Sequence, residues 1–102
     1  MPAVTYLGAR DMFHCSAPRR NGASANVFVG IGSEKIGISC EGHPNTKHKF
    51  PMGFEGCAQH AKRITTGSLT VKVNGRGCGR VGDAITACTS VAQGSPNVFA
   101  GG

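Results

Sequence analysis

Residues 68–88 read SLTVKVNGRGCGRVGDAITAC, and the reading of this stretch decides the fold. Leu69, Val71 and Val73 alternate with Ser68, Thr70 and Lys72, the period of a half-exposed strand. Asn74-Gly75 follows directly, the pair that most readily takes the positive φ angles of a two-residue hairpin turn. A second strand then runs to Val81-Gly82. The stretch therefore predicts a β-hairpin introduced by a serine.

Residues 24–43, SANVFVGIGSEKIGISCEGH, repeat that plan with a serine, an alternating strand, a glycine-bearing turn and a second strand ending at Ile36-Gly37. In this frame Ile36-Gly37 matches Val81-Gly82, and the first copy is one residue shorter across its turn. Residues 94–101, GSPNVFAG, give the opening strand a third time, with the remainder of a third unit missing. Three like strands in so short a chain predict a pseudo-threefold arrangement that the last strand completes. Helical periodicity is absent apart from residues 56–64, GCAQHAKRI, which have room for a helical turn or two. The expected class is all-β, in one domain spanning 1–102.

A chain of 102 residues with 16 Gly and no Trp builds a modest core. Domains of this kind usually carry a staple: disulfides, a metal or an oligomeric partner. The Cys count is five, an odd number, and the opening PAVTYLGARD has neither the basic nor the apolar region of a signal peptide. The expectation is synthesis in the cytoplasm, with thiols kept free or bound to metal. The formal charge of +6 comes with short basic clusters at Arg19-Arg20, Lys47-His48-Lys49 and Lys62-Arg63. No stacking aromatics interleave with them, so they read as surface cations and no nucleic acid is expected.

The repeat also sorts the metal-capable residues. His43 lies six positions after Gly37, and Cys88 six after Gly82, which makes them equivalent in this frame. His14 and His60 sit in the segments leading to Ser24 and Ser68. Convergence of His14, His43, His60 and Cys88 would give three nitrogens and one sulfur, a closed tetrahedral zinc site that is structural because no position is left for water. Cys15, Cys40 and Cys57 are rival ligands, but with Cys78 they read as small buried apolar residues. His48, between two lysines, reads as a surface imidazole. The carboxylates are Asp11, Glu34, Glu41, Glu55 and Asp83, with no pair spaced for acid–base work, so catalysis is not expected. A zinc-dependent nucleic-acid module and a metal hydrolase are the alternatives.

These residues resemble the PAAR-repeat family. The resemblance is carried by GSLTVKVNGRGCGRVGD (67–83), GSPNVFAG (94–101), the opening MPAVTYLGARD and FHCSAPR (13–19). The tetrad that names the family stands here as Gly77-Cys78-Gly79-Arg80, of which only the arginine matches, and the stretch 44–56 matches least and is expected to be a loop. The resemblance implies a small conical β-fold with a zinc ion near its apex, held by His14, His43, His60 and Cys88. It also implies a non-enzymatic role, in which a monomer caps the threefold end of a trimeric β-helical spike in a contractile injection machine. That machine is either a type VI secretion apparatus or a phage tail, and the tip makes transient contact with a target membrane.

Overall fold

The computed structural model describes residues 1–13, 18–51, 57–86 and 88–101, with residues 48–51 and 57–60 described by their backbone. Its strands form three antiparallel two-stranded ribbons, with no helix among the described residues. The first ribbon pairs β1 (Phe28–Ile31) with β2 (Glu34–Gly37), the second β3 (His48–Pro51) with β4 (Cys57–His60), and the third β5 (Lys72–Val73) with β6 (Arg76–Gly77). The helical turn expected in 56–64 is thus replaced by a strand at Cys57–His60, and the expected loop at 44–56 contains β3.

Local chemistry sets the turns. Asn74 and Gly75, with φ of 53° and 81°, join Val73 to Arg76 as a type I′ turn. Gly32, φ 61°, takes the first of the two loop positions between Ile31 and Glu34, where a type II′ turn requires a glycine.

Three serines nucleate the repeat. Ser24 Oγ accepts the N–H groups of Asn26 (3.3 Å) and Val27 (2.9 Å). Ser68 Oγ accepts those of Thr70 (3.2 Å) and Val71 (2.9 Å), and Ser95 Oγ those of Asn97 (3.2 Å) and Val98 (3.1 Å). Each serine N–H then donates to the opposing segment, to the carbonyls of Ile38, Cys78 and Val4. The third unit is therefore not cut short. Its second strand is the opening segment of the chain: Val4 N–H donates to Val98 O, Ala100 N–H to Pro2 O, and Ala3 bridges Phe99. The closing strand is tied down by the first residues.

This closure corrects the repeat frame. Ile38, Cys78 and Val4 are equivalent, so Gly37 matches Gly77 rather than Gly82. The first hairpin is longer than the second, not shorter, because β1 and β2 have four residues each where β5 and β6 have two. Matching apolar–glycine pairs in the sequence misaligned the copies. Hairpin length depends on how far a ribbon extends before its turn, and alternation alone does not record that.

After the equivalent strands come three equivalent tight turns, Tyr6–Ala9, Cys40–His43 and Arg80–Asp83, each closed by a bond from the fourth N–H to the first carbonyl. Gly8, Gly42 and Gly82 take φ of 86°, 85° and 91° at the third position, as type II turns need. The units join cyclically through the bridges Cys40–Cys78, Arg80–Val4 and Tyr6–Ile38. Thr5, Ser39 and Gly79 are buried at the centre, where Thr5 N–H donates to Gly79 O and Ser39 N–H to Thr5 O. Around them lies a core containing Val4, Tyr6, Val29, Ile38, Cys40, Val73 and Cys78.

Candidate functional site

Beyond the tight turns, each unit makes one excursion and returns. The chain leaves after Asp11, Asn45 and Ile85 and comes back at Pro18, Lys62 and Thr89, fixed by bonds from the N–H of Asp11, Asn45 and Ile85 to the carbonyls of those three residues. The ladder of backbone bonds runs from the serine turns through Thr5, Ser39 and Gly79 and the tight turns to this layer. Serine turns and excursions thus occupy opposite ends of the ladder.

The returning residues Arg20, Ile64 and Val91 are also equivalent, and they divide the layer chemically. Ile64, Ile85 and Val91 form an apolar cluster with Cys88 packed against it. On the other side Arg20 is buried, contrary to the reading of Arg19-Arg20 as a surface cluster. Its Nη2 lies 2.8 Å from Asp11 Oδ2, with both side chains 0% exposed. Asn45 Nδ2 donates to Asp11 Oδ2 (3.1 Å) and to Cys88 Sγ (3.6 Å), while its Oδ1 accepts the Lys62 N–H (2.8 Å). One amide side chain thereby joins all three excursions. A polar and an apolar residue at equivalent positions share no pattern in the sequence, and the Arg20–Asp11–Asn45 cluster was not anticipated.

Two of the expected metal ligands, His43 and Cys88, occupy non-equivalent positions in this frame. Cys88 follows the apolar layer, its N–H donating to Ile85 O at 3.0 Å. Burial pushes its thiol above the ordinary range, with the Asn45 amide opposing that shift. His43 is not the counterpart of Cys88. It ends a tight turn, where its Nδ1 accepts the Cys40 N–H at 2.8 Å, and Asp83 does the same for the Arg80 N–H at 2.7 Å in the equivalent turn. Burial, then the charges of Arg76 and Arg20, hold His43 below the usual imidazole range, which suits a neutral acceptor. His43 thus fills a turn-capping position. The shifted repeat frame corrects the expected equivalence of His43 with Cys88.

His14 lies outside the described residues. His60 is the last residue of β4, and the strand register sets it opposite His48, the first residue of β3. These two histidines stand at the base of the excursion that begins after Asn45 and ends before Lys62. The expectation of His48 as a surface residue rests on its lysine neighbours, and its side chain lies outside what is described, which here is the backbone. Of the remaining thiols, Cys40 and Cys78 are buried as expected, whereas Cys15 is outside the described residues and Cys57 is described by backbone alone.

At the other end, every serine turn leads into exposed apolar side chains, although Lys72 stands in the second unit where Phe28 and Phe99 stand in the others. Leu69 is 69% exposed, and Phe28 and Phe99, which match each other in the first and third units, are 50% and 49% exposed. Val71 and Val98 are exposed at a second equivalent position. Comparison of the sequence with protein-family models and with curated proteins finds no match.

Proposed function

We propose that this protein is a non-enzymatic tip of the PAAR-repeat kind, a cone that caps the end of a trimeric β-helical spike in a contractile injection machine. The observation that carries the reading is the cyclic set of three equivalent units built by one chain, with each unit contributing at least one exposed apolar residue to one end. A trimeric β-helix ends in strand edges that must be covered. A monomer with three similar faces offers each edge a like partner. Leu69, Val71, Val98, Phe28 and Phe99 form the docking face on this reading, and the excursions form the point directed at the target envelope.

The point is held by zinc. The donor set that suits it is His14, His48, His60 and Cys88, in which His48 replaces His43. Opposed residues of an antiparallel pair share one face of the ribbon, which favours His48 and His60 acting together, whereas His43 Nδ1 is already engaged with the Cys40 N–H. Three imidazoles and a thiolate complete a tetrahedral zinc shell and leave no open position, so the ion is structural. When bound it supplies folding free energy, on the order of 10 kcal/mol in zinc-dependent peptides. Asn45 positions the Cys88 sulfur through its amide, and the Arg20–Asp11 pair anchors Asn45.

The test combines elemental analysis with capture. The purified protein should contain one zinc per chain and retain a trimeric spike protein expressed from the same genome. Metal-free protein that is fully folded, or failure to bind that spike, would overturn the reading. Within it, His48→Ala should release zinc and His43→Ala should not; the reverse pattern restores His43 as a ligand.

A further inference from the structure

Cys40 and Cys78 face each other across the junction of the first and second units, as antiparallel bridge partners. Neither uses its backbone on the other. Cys40 N–H donates to His43 Nδ1 and its carbonyl accepts the His43 N–H, while Cys78 N–H donates to Val71 O and its carbonyl accepts the Ser68 N–H. The link between the units is made one step away, where Glu41 N–H donates to Gly77 O. This is the non-hydrogen-bonded kind of opposed pair, in which Cα atoms stand about 4.5 Å apart and side chains are closest. That separation falls within the roughly 4.4–6.8 Å spanned by disulfides. The two equivalent junctions carry Arg80–Val4 and Tyr6–Ile38, so a pair of thiols occurs at only one of the three.

Both side chains are buried free thiols in the main core cluster. Their S–H groups donate weakly to backbone carbonyls, Cys40 to Ile38 O (3.5 Å) and Cys78 to Gly79 O (3.8 Å). We propose that Cys40 and Cys78 are a latent cross-strand disulfide, a staple between the first and second units that stays open under reduction and closes by exchange with a small-molecule disulfide. The inference stands on the strand register and does not depend on the spike reading.

The exchange balances without further reagents. The Cys40 thiol loses its proton and attacks an external disulfide, forming a mixed disulfide and expelling one thiolate. The Cys78 sulfur, deprotonated in turn, attacks the Cys40 sulfur; the Sγ–Sγ bond forms and the second thiolate leaves. The protein loses two electrons and two protons, and the small disulfide becomes two thiols. Burial, followed by the neighbouring Cys40, pushes the Cys78 thiol up to about 11. Reaction from the native state is therefore slow and requires the junction to open. Once closed, the bond spans a long loop, residues 40 to 78, and long loops give the larger stabilisations.

The full-length protein, purified under reduction, is equilibrated with oxidised glutathione, both in the folded state and during refolding from denaturant, which removes any kinetic block. Peptide mapping without reduction should find the Cys40 peptide joined to the Cys78 peptide. Oxidation should raise the melting temperature by about 10 °C or more in the wild type and leave Cys78→Ala unmoved. Cys40 and Cys78 both still open to alkylation after oxidative refolding would overturn the proposal. So would disulfides that map instead to Cys15, Cys57 or Cys88. If the alanine variant fails to fold, the wild-type map alone decides.

Discussion

Arg20 and Asp11 show how single residues carry the layer beneath the excursions. Removing two charges from water costs several kcal/mol each, and their attraction at 2.8 Å offsets this only while both are present. Arg20→Met keeps the volume but strips the carboxylate of its counter-charge, so it should destabilise the protein by about 3–5 kcal/mol in chemical denaturation. A double replacement, Arg20→Met with Asp11→Leu, should recover only part of that loss, because Asn45 Nδ2 then loses Asp11 as an acceptor. Gly79 tests the centre in another way. A Cβ there would collide with the backbone carbonyl of Ser39, whereas at Gly30 it would meet open space. Gly79→Ala should therefore leave little folded protein, while Gly30→Ala should change stability by less than about 0.5 kcal/mol. His43 adds a pH dependence. Burial, then the charges of Arg76 and Arg20, lower its pKa in the folded state, where the neutral ring accepts the Cys40 N–H at Nδ1. The capping contribution is then complete above the unfolded value of about 6.5 and is lost as pH falls through the lower folded value. His43→Asp, copying the Asp83 cap, should flatten that part of the stability–pH profile just below about pH 6.5.

At the scale of elements, the hairpins show which features are written locally. Asn74-Gly75 specified the β5–β6 turn outright, because its two positive φ angles are a property of those two residues. Serine at the head of each strand was equally legible, since Oγ needs only the N–H groups two and three positions on. The repeat frame was not. Val81-Gly82 resembles Ile36-Gly37 in composition but belongs to a tight turn, and its true match is Glu41-Gly42. That slip made His43 the counterpart of Cys88. The opposition of His48 and His60 was hidden for another reason, the reading of 44–56 as a loop, and Arg20 because its burial depends on a carboxylate nine positions earlier rather than on its own neighbours. If the first hairpin is the second with its ribbon extended, the extra length is dispensable. Deleting Gly30, Ile31, Glu34 and Lys35 leaves Val29 and Ile36 flanking Gly32-Ser33, with their pairing unchanged. The shortened protein should fold, at a cost of about 1–2 kcal/mol from lost apolar contact at Ile31. Exchange-protected amides at Ser24 and Ile38 would verify that the unit survives.

For the whole molecule, the governing feature is that the third unit is assembled from both ends of the chain. Ala3 bridges Phe99, Ala100 N–H donates to Pro2 O at 3.0 Å, and Arg80 Nη1 and the Ser68 hydroxyl both donate to Gly101 O. Removing residues 95–101 would leave Val4 and Ala100's partner Pro2 without the strand they pair with and expose the core, so the truncated chain should not fold cooperatively. The same architecture makes a sharper demand. In a cyclic array of three units no chain break is privileged, and a connection missing in one unit is tolerated if the others hold. A circular permutant that joins the closing residues to Met1 through a short Asn-Gly-containing linker, and opens between Asn74 and Gly75, moves the break from the third unit to the second. Every backbone bond among Val4, Ser95 and Val98 is retained, and β5 and β6 remain adjacent with free ends. The permutant should fold to a monomer whose stability in denaturant lies within about 2 kcal/mol of the parent, the range in which loop-closure terms fall for short connections. A permutant that is disordered although its serine-turn bonds are all available would mean that the three units are not interchangeable in folding. Their cyclic likeness would then describe the finished structure but not its energetics.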